Sequence, residues 1–153
     1  MNDNTVFVEE LIDAPVAEVW KALTDPQQMK QWSFSPDDFR PEKGFVFRFS
    51  GQGSKGENYM HLCTITDVIP EKKLQHTWTY EMIPGKSLVT FELIPEGTST
   101  RLQLTHEGLD TFPQDNPDFA KSSFKQGWTE IITVNLVDFF KPSAGLQGTE
   151  SVG

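Results

Sequence analysis

The chain has 153 residues, of which 37% are hydrophobic and 23% charged. That is enough for one domain with a sizeable core, and the composition is that of an ordinary globular protein, not a disordered one. Acidic residues outnumber basic ones 22 to 13, for a net charge of -9; nucleic acid and anionic membranes both require a cationic face, so neither is expected as a partner.

No apolar run approaches the ~20 residues of a membrane span. Met1-Asn2-Asp3-Asn4 has no basic n-region and no apolar h-region, so no signal peptide is expected. Cys63 is the single cysteine, which leaves no internal disulfide and makes a reducing cytoplasm the expected compartment.

Residues 5–12 read as a first strand, dominated by β-branched and aromatic side chains. Asp13-Ala14-Pro15 signals a helix start, with Asp13 or Ala14 at the cap and Pro15 in the first turn. Across residues 16–24, Val16, Val19, Trp20 and Leu23 fall on one apolar stripe. Asp25-Pro26 opens a second short helix ending near Trp32.

From Gly44 to His106 the period changes to two. Phe45, Phe47 and Phe49 share one parity; so do Tyr59, His61, Cys63 and Ile65, then Leu74, His76, Trp78 and Tyr80. Val89, Phe91 and Leu93, and finally Leu102, Leu104 and His106, continue the pattern. Such alternation predicts an antiparallel sheet with one buried face. Turns are expected at Pro70-Glu71-Lys72-Lys73, Pro84-Gly85-Lys86 and Pro95-Glu96-Gly97. The Gly-rich stretch from Ser50 to Gly56 lacks the G-x-x-x-x-G-K-[ST] pattern and opens no helix, so it reads as a hairpin tip.

After a loop between His106 and Asp118, a long helix is predicted from about Pro117 to Lys141. Phe124, Trp128, Ile132, Leu136 and Phe139 recur along it at steps of four, four, four and three. Residues 143–153 are rich in Gly, Ser and Thr and are expected to form a disordered tail, leaving 1–142 as a single domain.

Segregated helices and strands indicate an α+β fold. The economical packing is a curved antiparallel sheet of about six to seven strands wrapped around the last helix, with two short helices after the first strand. A strongly curved sheet cannot follow a straight rod along its whole length, so a space between the two is expected.

Ile12-Asp13-Ala14-Pro15-Val16-Ala17-Glu18-Val19-Trp20 resembles the opening motif of the START-like SRPBCC superfamily, and Thr24-Asp25-Pro26 followed by Trp32 is similar to its continuation. Pro41 to Phe47, Val68-Ile69-Pro70 with Thr77-Trp78, Val89 to Leu93, Ser99 to Leu109 and Gly127-Trp128 extend the likeness over about residues 5–141. Together they resemble the branch related to the C-terminal domain of the activator of heat-shock protein ATPase. The resemblance implies a helix-grip (START/Bet v-like) fold with an apolar cavity and a link to stress response. It brings no invariant catalytic set, and Cys63 stands where that branch commonly has Gly.

All three histidines share the parity of the core aromatics. A metal site is disfavoured, because no HExxH or CxxC spacing exists and register counting separates His61 from His76 by ~17 Å and from His106 by ~14 Å. Each His is either a hydrogen-bonded core residue or a polar group lining a pocket. Tyr59, His61, Tyr80 and His106 are placed near one end of the sheet, by a cavity mouth at loop 107–118; Trp78, Phe91, Phe124 and Trp128 complete the candidate ligand-binding set. Glu10 is a candidate buried carboxylate, and Cys63 reads as an inert buried thiol.

The leading functional expectation is binding of a small hydrophobic molecule (lipid, polyketide or aromatic) between sheet and last helix, by a monomer or homodimer with no cofactor, no metal and no catalytic residue. The alternatives are an interaction module that stimulates a chaperone ATPase, as the resemblance implies, and a cyclase- or hydratase-type enzyme using the same cavity.

Overall fold

The computed structural model describes residues 5–34, 36, 38–52 and 55–141; the expected tail, 143–153, lies outside them. Six antiparallel strands form one open sheet: β1 (Val6–Ile12), β2 (Val46–Gln52), β3 (Asn58–Ile69), β4 (Lys73–Tyr80), β5 (Ile83–Glu96) and β6 (Ser99–Glu107), in the spatial order β1-β6-β5-β4-β3-β2. Helices α1 (Val16–Thr24) and α2 (Pro26–Trp32) follow β1. This is the helix-grip α+β architecture.

Alternation sets the inner face as expected. Phe47, Phe49, Cys63, Ile65, Leu74, Trp78, Val89, Phe91, Leu102 and Leu104 are all buried. Pro15 itself takes the N-cap of α1, where no side chain caps the helix. Asp25 caps α2 by accepting from the Gln27 N–H at 2.9 Å, which satisfies one of the free N–H groups of its first turn. Thr100, fully buried on β6, donates to the Ala14 carbonyl at 2.8 Å and ties the start of α1 to the sheet.

The closing rod is not a uniform α-helix. It runs as α3 (Lys121–Glu130), a π-helical segment (Ile131–Leu136) and α4 (Val137–Phe139). The spacing of its apolar residues explains why. In an α-helix each step of four overshoots a turn by about 40°, so Leu136 would point about 120° away from Phe124. The wider π winding, with its i→i+5 hydrogen bonds, takes up that drift. Phe124, Trp128, Ile132 and Leu136 are consequently all buried against the sheet.

Two turns differ from expectation: Pro95 and Glu96 pair with Thr100 and Ser99, so the last hairpin reverses at Gly97-Thr98. Pro84-Gly85-Lys86 is not a turn; it lies inside β5, and the reversal falls at Glu81-Met82 between the paired residues Tyr80 and Ile83. Glu81 N–H is held by the Met60 carbonyl at 2.9 Å, and Met82 takes φ 68°. Gly85 instead takes φ 119° and lets the 108–112 segment dock: a Cβ there would lie 2.5 Å from the Phe112 ring.

The two displaced turns together shift the pairing. His76 lies opposite Val89, which lies opposite His106. His106 therefore shares a row of the sheet with His76, not with His61 as the register count had it. His61 pairs with Tyr80.

Candidate functional site

The eight expected site residues all lie on the inner face or on the closing rod, but they divide into two neighbourhoods. Tyr59, Tyr80, Phe112 and Phe119 pack together at one end, with ring centroids 4.9 to 5.8 Å apart. At the expected cavity mouth by loop 107–118, Phe112 of that loop and Phe119 just after it fill the inner side, both buried. Tyr59 donates to Asp118 at 2.9 Å, which ties this end of the sheet to the segment before the closing rod.

His106 is completely buried and held at both ring nitrogens. Trp128 Nε1–H donates to Nδ1 at 3.0 Å, and Nε2 lies 2.7 Å from Ser87 Oγ. Since Nδ1 must accept, the proton sits on Nε2 and points at Ser87. Ser87 in turn donates to the Trp78 carbonyl at 2.9 Å. A serine activated by histidine needs an unprotonated nitrogen facing its hydroxyl; here that nitrogen carries the hydrogen, so the pair locks the core and does not make a nucleophile. Burial lowers the His106 pKa to about 3, with the neighbouring His76 a lesser cause. Phe124 caps the imidazole edge-on at 5.0 Å.

His61 stacks on Phe49 at 4.5 Å, and its Nδ1 lies 3.3 Å from the Phe49 carbonyl and 3.2 Å from that of Tyr59. Its Cε1 lies 2.8 Å from where a Cβ on Gly51 would stand, so Gly51 makes room for the ring. Burial lowers its pKa to about 4. Glu10 is half-buried on the inward parity of β1. Cys63 is fully buried, which pushes its thiol pKa up.

The second neighbourhood holds an internal cavity of about 30 Å³. Three expected residues line it: Trp78, Phe91 and Trp128. The other five do not. The sheet adds Phe47, Phe49, Leu74 and His76; α1 and α2 add Leu23, Met29 and Trp32; the segment after α2 adds Ser33, Phe34 and Phe39. Trp78 is the hub, with ring centroids of Phe34, Phe49, His61, His106 and Trp128 between 4.9 and 5.6 Å away. Phe34, only half-buried, closes the space: it stacks on Phe49 at 4.3 Å and meets Trp78 and Trp128 edge-on.

Sequence reading missed this side of the site. Phe34 and Phe39 lie on irregular chain, where periodicity carries no signal. Trp32, which ends α2, also anchors that helix to α1: its Nε1–H donates to the Ala22 carbonyl at 3.1 Å. Among the described residues no group of three or more metal-ligating side chains converges, and no helix is long and apolar enough to cross a membrane.

The family model described as "Activator of Hsp90 ATPase homolog 1-like protein" matches residues 13–141. The chain belongs to this family. Among solved structures, protein MLL2253 from Mesorhizobium loti is 32% identical with a TM-score of 0.73, the match covering 88% of this chain and 95% of that one. CalU16 from Micromonospora echinospora is 28% identical with a TM-score of 0.69, over 93% of this chain and 79% of that one. Protein CV1439 from Chromobacterium violaceum shares the fold at 18% identity, with a TM-score of 0.77 over 92% and 99% of the two chains. No curated protein matches the sequence.

Proposed function

We propose that this member of the activator-of-Hsp90-ATPase-like family binds a small hydrophobic molecule between its sheet and closing rod, and that Phe34 is the gate. The observation that carries this reading is the aromatic cavity under Phe34, bounded by sheet, α2 and Trp128, with no charged side chain among its described lining residues. Pockets for small molecules are concave and mainly apolar, with few polar groups.

Size decides which state is seen. Drug-sized ligands occupy roughly 300–1,000 Å³, and even benzene takes an apolar cavity of about 150 Å³. A space of about 30 Å³ is too small for either. A guest therefore requires the Phe34 ring to leave. Phe34 is well placed to do so: it sits on irregular chain, half-buried, whereas most of the wall is strand or helix.

The test compares wild type with Phe34→Ala for stabilisation by aromatic, polyketide-like and fatty compounds. The variant is expected to melt lower alone, yet to be raised further by a matching ligand, because its cavity is already open. Failure of every compound class to raise the melting temperature of either protein overturns the reading.

The family description favours a second reading, an interaction module acting on a chaperone ATPase. With a net charge of -9, such a module would dock on a basic patch. Measuring the ATPase rate of the host chaperone with and without the protein decides this reading; an unchanged rate removes it. A cyclase- or hydratase-type activity remains the third reading. Its test is turnover of candidate substrates by wild type and by His76→Phe, which removes the one imidazole that lines the cavity.

A further inference from the structure

The polar valencies around the cavity are unusually one-sided. Three tryptophans border it, and each N–H is committed elsewhere: Trp32 to the Ala22 carbonyl, Trp78 to Tyr80 Oη at 2.9 Å, and Trp128 to His106 Nδ1 at 3.0 Å. The Ser33 hydroxyl donates to the Met29 carbonyl at 3.2 Å, leaving only its lone pairs. Among the described lining side chains, no donor remains.

One strong acceptor does remain. His76 is 5% exposed and lines the cavity. Its Nδ1 lies 2.8 Å from the Thr77 carbonyl. A carbonyl can only accept, so Nδ1 carries the hydrogen and Nε2 of the neutral ring is left with a lone pair. Nε2 is the distal nitrogen, carried away from the strand, and it has no hydrogen-bond partner among the described residues. A buried acceptor left unmatched is costly, and a ligand that supplies its donor recovers that cost.

Resting on the reading that this cavity takes a guest, we infer that the guest is an uncharged aromatic or alicyclic molecule carrying a hydroxyl, or an equivalent N–H, that donates to His76 Nε2. Burial holds the imidazole neutral, with a pKa lowered to about 4, so it remains an acceptor at neutral pH. Carboxylates and phosphates are excluded twice. They bring further acceptors to a site with no free donor among its described side chains, and no Lys or Arg is among the described lining residues to compensate their charge.

Three ligands of one shape test this: 2-naphthol, naphthalene and 2-naphthoate, titrated calorimetrically into wild type, Phe34→Ala and His76→Phe. The expected result is naphthol binding about tenfold tighter than naphthalene, with naphthoate not bound. His76→Phe keeps an aromatic ring but no acceptor, and is expected to bind naphthol and naphthalene alike. Equal affinity of the two in wild type and Phe34→Ala overturns the inference while leaving the binding reading intact. So does a naphthol preference that survives in His76→Phe, or tight binding of naphthoate. Absence of binding by all three to wild type and Phe34→Ala overturns the inference together with the binding reading. Should His76→Phe not fold, the naphthol-to-naphthalene ratio in the other two proteins decides alone.

Discussion

Acid is expected to destabilise this protein already between pH 7 and pH 5, before its carboxylates protonate. His61, His76 and His106 are buried as neutral rings, with pKa values lowered by burial to about 4, about 4 and about 3. In the unfolded chain each returns to an ordinary value near 6.5. Below that pH the unfolded state binds protons that the folded state refuses, so stability is fully present above pH 6.5 and is lost as pH falls towards the folded values. At about 1.36 kcal/mol per unit per group, lowering the pH from 7 to 5 costs about 2 kcal/mol for each histidine and about 6 kcal/mol for the three. A domain of this size has roughly 5–15 kcal/mol in all. The assay is the denaturation midpoint in urea at pH 7, 6 and 5. A steep fall is expected, and His106→Gln should remove about a third of the slope even if it lowers stability throughout. A midpoint that stays level from pH 7 to pH 5, or a slope unchanged in His106→Gln, refutes the reasoning.

Ser87→Ala removes the acceptor for the Nε2–H of fully buried His106, and a cost of about 2 kcal/mol in urea denaturation is expected; a neutral effect would show that the ring finds another partner. Gly85→Ala combines φ 119° with a Cβ 2.5 Å from the Phe112 ring, so a loss of about 3 kcal/mol is expected from strain and overpacking together, read as a lowered melting temperature. Cys63, fully buried with its thiol pKa raised by burial, should resist Ellman's reagent in the folded protein and react in urea; rapid native labelling would contradict this placement.

The inner face of the sheet was legible because strand periodicity is local. A side chain two residues along a strand returns to the same face whatever the partner strand does. That parity put His61, His76, His106, Trp78 and Phe91 inside, and each is buried. The ordered run of motifs from Ile12-Asp13-Ala14-Pro15 to Gly127-Trp128 likewise carried the family. The pairing of histidines was not legible. Pro84-Gly85 has the composition of a turn, yet Gly85 is needed where Phe112 meets β5, and the chain reverses at Glu81-Met82. The composition of a glycine pair does not say whether its freedom serves a turn or a close approach.

What the sequence settled by itself is the set of faces: about six to seven strands with an aromatic inner side, two short helices, and a closing helix with one apolar stripe, whose π winding only the structure revealed. Tertiary structure alone decided which inward residues meet and how much space they leave. Strand register depends on where each turn reverses, which composition does not fix to the residue. The size of the cavity depends on Phe34, a residue on irregular chain whose position is set by the rings of Phe49, Trp78 and Trp128. Which nitrogen of His106 can accept a hydrogen bond follows from Trp128 on the rod and Ser87 on the neighbouring strand, contacts no local pattern encodes, whereas the His76 proton is placed by the carbonyl of the next residue, Thr77.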